Sequence, residues 1–246
     1  MRHLYQISIN EVRKFIQDKL WALNEGVIGK FAQNQDDVKK HLIDIFSQYT
    51  PSANLDGESI QQLFFPTNIA NRFNLFISHS SDDADTVEQF ANVLEAYGHH
   101  CFIDWMVWGN IKDLQPILDN NLCNPVKIKN KTSYSYKLRN CTTAHTHAML
   151  SMALLDMIDK CDVCVFITSK NSTLPSANFG DISTLSPWIY EEITYMNTIA
   201  KIREMKIFSE NKQTIKITHP LDLKRFEVLT AETIISSLEN YNYLYH

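Results

Sequence analysis

What the chain lacks narrows its identity first. No stretch of its 246 residues approaches the roughly 20 consecutive apolar residues needed to cross a bilayer. The opening Met1-Arg2-His3-Leu4-Tyr5-Gln6 leads into charged amphipathic sequence and not into the apolar core of a signal peptide, so no export address is read. Basic charge is not in excess: 23 Lys and Arg face 28 Asp and Glu, the net charge is -5 and the pI is near 6.0, which gives no sign of a broad nucleic-acid-binding surface. The five cysteines, 101, 123, 141, 161 and 164, are an odd number in a chain too large to need disulfide staples. They read as reduced thiols, and the sequons at Asn130, Asn140 and Asn171 then carry no meaning. No internal repeat and no low-complexity tract is present. A soluble cytoplasmic protein, partnered with neither membrane nor nucleic acid, is the expectation.

What is present is ordinary core-forming sequence, 44% apolar and 11% aromatic. Ser8 and Glu11 have capping-box spacing, and Ile9, Val12, Phe15, Ile16, Leu20 and Leu23 recur at helical intervals up to a stop at Gly26. Helices are also expected over Asp36 to Tyr49 and through Ile60 to Phe65, ending before Pro66. Residues 1-70 thus read as a helical extension too small to stand alone.

At Phe73 the pattern changes. Phe73 to Ser78 is a short apolar run that opens into His79-Ser80-Ser81-Asp82-Asp83. Helical spacing follows in Val87, Phe90, Ala91, Val93 and Leu94, Gly98 closes it, and Cys101-Phe102-Ile103 is a second run ended by Asp104. Strand, loop, helix, glycine and strand within about thirty residues mark a βαβ unit of a parallel sheet. The unit recurs with a helix over Met149 to Ile158, a strand over Val163 to Ile167 and a helix over Trp188 to Ile199. A strand at Gln213 to Ile217 and a last helix at Ala231 to Leu238 complete a four- or five-stranded doubly wound sheet. Between Trp105 and His147 the pattern fails. That stretch holds Pro116 and Pro125, and a hairpin is readable in 126–129 and 134–136. A loop of such length is usually functional or disordered.

The strand and loop motifs resemble those of bacterial Toll/interleukin-1 receptor (TIR) domains. Phe76-Ile77-Ser78-His79-Ser80 with Asp82-Asp83 resembles the family's first strand and its serine-and-acid loop. Gly98 to Asp104 resembles the second strand, Asp162 to Ser169 the fourth, and Ser186-Pro187-Trp188-Ile189-Tyr190-Glu191-Glu192-Ile193 the Ser-x-Trp-x-x-x-Glu helix start. The resemblance covers Arg72 to about Asn240. It implies a flavodoxin-like α/β fold over 71-246, with an insertion at about 106-147 and the helical extension before it.

The resemblance also implies an intracellular signalling role, plausibly in antiviral defence, with NAD or a derived nucleotide as ligand or substrate and other TIR domains as partners. Open α/β sheets bind ligands beyond the carboxyl ends of their strands, and here those ends carry Ser78, His79, Ser80, Asp104, Trp105 and Ser169. Hydroxyls and backbone N–H groups at a helix start suit a phosphate, and Trp105 or Trp108 suits a planar base. His79 and Asp104 have bland alternatives as loop and helix caps. Trp188 and Glu192 read as structural.

Enzymatic TIR domains cleave the nicotinamide glycosidic bond of NAD with a glutamate near the start of the helix before the fourth strand. The position corresponding to it here falls near Ser151, and no glutamate lies between Glu95 and Glu191. Three explanations stand open: an inactive binding domain, an active site that lost its acid, or an acid supplied by Asp156, Asp113 or Asp119. Whether the chain is an enzyme is therefore left undecided. A scaffold acting through TIR–TIR contacts is the alternative from another class. A response-regulator-like domain fits less well, because the first strand opens into Ser-His-Ser where that family places an acidic cluster. Cys123, Cys141, His145 and His147 gather potential zinc ligands without the paired-cysteine spacing of a zinc site, so no metal is expected. No cofactor beyond the nucleotide itself is expected.

Overall fold

The computed structural model describes residues 3–20, 40, 44, 56–69, 72–108, 111–128, 131–175, 182–204 and 219–242. The elements that build the sheet are β1 (His3–Ser8), α1 (Ile9–Asp18), β2 (Leu75–Ser78), α2 (Ala84–Ala96), β3 (Cys101–Phe102), β4 (Val163–Thr168), α3 (Pro187–Glu204), β5 (Glu227–Leu229) and α4 (Ile234–Asn242).

All pairings in this sheet are parallel, and the strand order is β5-β1-β4-β2-β3. The result is an α/β fold with a five-stranded parallel sheet and flanking helices, compatible with a flavodoxin-like arrangement. Without β1 the order reads third, second, fourth, fifth, which is the flavodoxin sequence 2-1-3 with a gap before the last strand. The gap is filled by β1. A helical extension over 1-70 therefore does not describe residues 3–8, which lie inside the sheet, paired over six positions with β4 and over three with β5.

The chain groups into two compact units. One holds the described residues of 3–20, 72–103 and 157–242, and the other those of 56–69 and 104–156.

In the first unit β4 is Val-Cys-Val-Phe-Ile-Thr, buried on both faces as a central parallel strand requires. Ser8 ends β1 and caps α1, accepting the Glu11 N–H at 3.2 Å. The helix then buries Ile9, Val12, Phe15 and Ile16 on one face. That face meets α2, with Phe15 and Phe90 edge to face at 5.7 Å. Phe102 stacks on Phe76 at 5.5 Å and takes the edge of Phe73 at 5.4 Å. Each such buried ring contributes about 1.5–3 kcal/mol. Helix α2 ends as Gly98 predicts. Gly98 has a φ of 85°, its N–H reaches the Glu95 carbonyl at 2.9 Å, and the His99 N–H reaches that of Leu94 at 3.1 Å. Only a residue without Cβ takes this left-handed position cheaply.

In the second unit the helix Gly57–Phe64 is capped by Asp56 and ends before Pro66, whose carbonyl accepts the Trp108 indole N–H at 3.2 Å. The stretch where the pattern fails is mostly regular. It contains the helices Asp104–Trp108 and Ile111–Leu122 and the antiparallel pair Val126–Ile128 with Lys131–Ser133. The hairpin's second arm falls three residues before its expected position. The helix Ile111–Leu122 runs through Pro116. The expected helix at 149–158 starts earlier, at Tyr136, and runs to Lys160. The expected strand at 213–217, the stop at Gly26 and nearly all of the helix at 36–49 lie outside the described residues. The last strand of the sheet is Glu227–Leu229, a segment too short and too charged to stand out in the sequence.

Candidate functional site

The carboxyl ends of β2, β4 and β1 carry the polar groups of the first unit. Ser78 is the last residue of β2, and its Oγ donates to Glu192 Oε2 on α3 at 2.5 Å, both residues being buried. The spacing of the Ser-x-Trp-x-x-x-Glu segment delivers this contact: in the second turn of α3, Glu192 meets the end of β2. Ser80 Oγ accepts the Asp82 N–H at 3.4 Å and caps a short 3-10 turn, Ser81–Asp83, that leads into α2. His79, half-buried, sits between these two serines.

A second carboxylate acts across strands. Asp83, 6% exposed, accepts from Ser169 Oγ at 2.5 Å through Oδ2 and from Asn171 Nδ2 at 2.8 Å through Oδ1. Ser169 follows β4, so this aspartate ties the loop after β2 to the loop after β4. The β4 loop is also closed on itself. Ser169 Oγ accepts the N–H groups of Asn171 (3.0 Å) and Ser172 (3.1 Å), while Ser172 Oγ accepts the N–H of Ser169 at 2.8 Å. The N–H groups of Ser169, Asn171 and Ser172 in this loop are thus used internally.

At the end of β1, Thr168 Oγ1 of β4 donates to the Ile7 carbonyl at 3.3 Å, and Glu11 in the first turn of α1 accepts the Ala231 N–H at 2.8 Å. Nothing local in the sequence assigns Glu11 to this end, because α1 follows a strand, β1, whose place in the sheet depends on distant partners. Asp83, Asn171 and Ser172 were also missed as partners. The signal available for them was local, a Ser-x-Asn-Ser turn after a buried strand, and it gives no hint of the aspartate 86 residues earlier.

Of the expected site residues, the structure brings together Ser78, His79, Ser80 and Ser169 in the first unit, with Glu192 and Trp188 on α3. Asp104, Trp105 and Ser151, each half-buried, belong to the second unit. Asp119, one of the candidate replacement acids, is 2% exposed and fully engaged: it accepts from Arg139 Nε (3.0 Å), Gln115 Nε2 (2.9 Å) and Thr142 Oγ1 (3.1 Å). It holds the second unit together and is not free to meet a ligand. Asp156 is half-buried in the same unit, and the side chain of Asp113 lies outside the described residues.

Among the described residues no group of three or more His, Cys, Asp and Glu is placed to hold a metal. Cys123 is buried beside Asp119 and Thr142, whereas Cys141, His145 and His147 are exposed along their helix. Burial pushes the Cys123 thiol up, and it pushes the Cys101 thiol well up, with the charges of Glu95 and then Cys161 adding to the latter. Both are inert packing groups. No helix among the described residues is long and apolar enough to cross a membrane.

Comparison of the chain with protein-family models, with curated proteins and with solved structures finds no match.

Proposed function

We propose that this chain is a TIR-like signalling protein that binds NAD or a derived nucleotide at the carboxyl end of its parallel sheet, with an intracellular defence role as the setting the resemblance implies. One observation carries the reading. The loops after β2 and β4, neighbours in the sheet, present serine, histidine and carboxylate groups at the end where open α/β sheets take their ligands. Cleavage of the nicotinamide bond needs a carboxylate near the ribose, worth about a hundredfold or more in rate. Ser151 stands at the position where the family resemblance places that acid.

A titration of NAD into the protein, followed by amide chemical shifts, tests the proposal. Saturable shifts are expected in 79–83 and 169–172, and a flat titration at millimolar NAD removes it. Nicotinamide release is measured beside this for the native chain and for Ser151→Glu. Release by the variant alone marks a site that lacks only its acid.

A second reading, an inactive scaffold that acts through TIR–TIR assembly, is favoured by a different observation. Ser78, Ser80 and Ser169 are all 9% exposed or less, and each already makes a hydrogen bond inside the protein. Concentration-dependent mass in light scattering, without NAD binding, is its signature.

A further inference from the structure

We infer that Asp83 is a positioning residue, whose carboxylate fixes the spacing of the loops after β2 and β4 and so sets the affinity of these loops for NAD. The inference rests on the function proposed above and adds to it the group that holds the site in shape.

The hydrogen-bond bookkeeping leaves Asp83 little choice. Ser169 Oγ accepts two backbone N–H groups, from Asn171 and Ser172, so its own proton must point elsewhere. Ser172 Oγ, at 3.4 Å, is a distant alternative whose own hydroxyl contacts the Ile167 carbonyl at 3.1 Å. Asp83 Oδ2 at 2.5 Å takes the Ser169 proton. The other oxygen, Oδ1, accepts the amide N–H of Asn171 at 2.8 Å. Both oxygens therefore face donors, an arrangement that suits an acceptor-only group.

On its own side Asp83 is equally fixed, because its N–H is bonded to the Ser80 carbonyl at 2.9 Å and it leads directly into α2. A rigid helix start thus grips the β4 loop through two struts, with Ser78, His79 and Ser80 on one side and Ser169 to Ser172 on the other. Asp83→Asn preserves shape but turns an NH2 toward Ser169 or toward Asn171. Toward Ser169 a donor then faces a donor; toward Asn171 that amide must flip to accept, and either way the charge on the struts is lost.

The test compares native protein, Asp83→Asn and Asn171→Ala, with Gly98→Ala as a control that strains the opposite end of the sheet. Asp83→Asn is expected to bind NAD about tenfold more weakly, the loss of one charge-assisted bond between the loops. Hydrogen exchange at 169–173 without ligand should quicken in the same variant. Asn171→Ala, at an exposed position that leaves Ser169 and the carboxylate in place, shows the same changes more weakly, and it decides the matter if Asp83→Asn fails to fold. Gly98→Ala loses stability and keeps its NAD affinity. Unchanged affinity in the Asp83 and Asn171 variants, or unchanged exchange at 169–173, overturns the inference while leaving the proposed function standing. No NAD binding by the native protein overturns both.

Discussion

At the amino end of the sheet Asn74 links three strands, largely through its main chain. Its N–H reaches the His100 carbonyl, its carbonyl accepts the N–H groups of Asp162 and Val163, and its Oδ1 accepts the His100 N–H at 2.8 Å. Glu95 adds a buried carboxylate there, accepting the Cys101 N–H at 2.8 Å and lying 3.0 Å from His100 Nδ1. At the carboxyl end the corresponding links run through side chains: Ser78 to Glu192, and Ser169 and Asn171 to Asp83. The main-chain bonds among these are indifferent to which residues carry them. Side-chain stitching places hydroxyls and carboxylates at fixed positions beyond the strand ends, where they can be exchanged without redrawing the sheet. The two ends thus differ in what ties them, main chain at one and side chains at the other, a division that substitution can probe.

The largest effect should come from the layer both ends share. Phe90→Ala removes the ring that Phe15 packs against at zero exposure and should cost about 3–5 kcal/mol in urea unfolding. Both ends then loosen together. A loss below about 1 kcal/mol would mean that the packing of α1 on α2 does not hold the sheet's layers.

Smaller effects should divide by end. Ser78→Ala takes a hydroxyl from a buried carboxylate and should cost about 1–3 kcal/mol, whereas Asn74→Ala keeps its backbone bonds and should cost about 1 kcal/mol. Amide exchange is the discriminating measurement. Ser78→Ala should quicken it near 78–83 and Asn74→Ala near 99–102. Equal disturbance of both ends by either variant would erase the distinction.

The smallest effect is a pH dependence at the surface. The hydrogen bond from Lys14 holds the Glu232 carboxyl below its ordinary value of 4.5, helped by backbone and Thr230 contacts, and the same bond raises Lys14. A carboxyl depressed on folding adds stability above its unfolded pKa and loses it as pH falls through the folded one. Lys14→Met should therefore melt slightly lower than native at pH 6, and the gap should close below pH 4.5. A gap that persists at pH 3 would assign the difference to packing.

How much of this was legible depends on sequence distance. The Ser8 cap, the Gly98 stop and the strands at 75–78, 101–102 and 163–168 are written locally and were read. β1 was not, because Leu4, Tyr5 and Ile7 are interrupted by Gln6 and run straight into the helical spacing from Ile9, so the two periods merge. Its place in the sheet depends on partners in β4 and β5 that no local pattern names. The same holds for the candidate site. Ser78 and Ser169 could be picked out as strand-end hydroxyls, but their tethers, Glu192 and Asp83, lie 114 and 86 residues away. In the second unit, Asp119 finds Arg139 and Thr142 across a hairpin whose residues look like loop.

The placement of β1 also sets the order in which the molecule can be made. The Ile7 carbonyl accepts from Thr168, 161 residues later, and β1 pairs with β5 later still. On the ribosome β1 has no neighbour in the sheet until β4 has emerged, and its apolar Leu4, Tyr5 and Ile7 wait unpaired. Contacts of such long sequence separation slow folding and lengthen exposure to aggregation. A nascent chain arrested before residue 163 should therefore be held by chaperones, and release should coincide with the synthesis of β4.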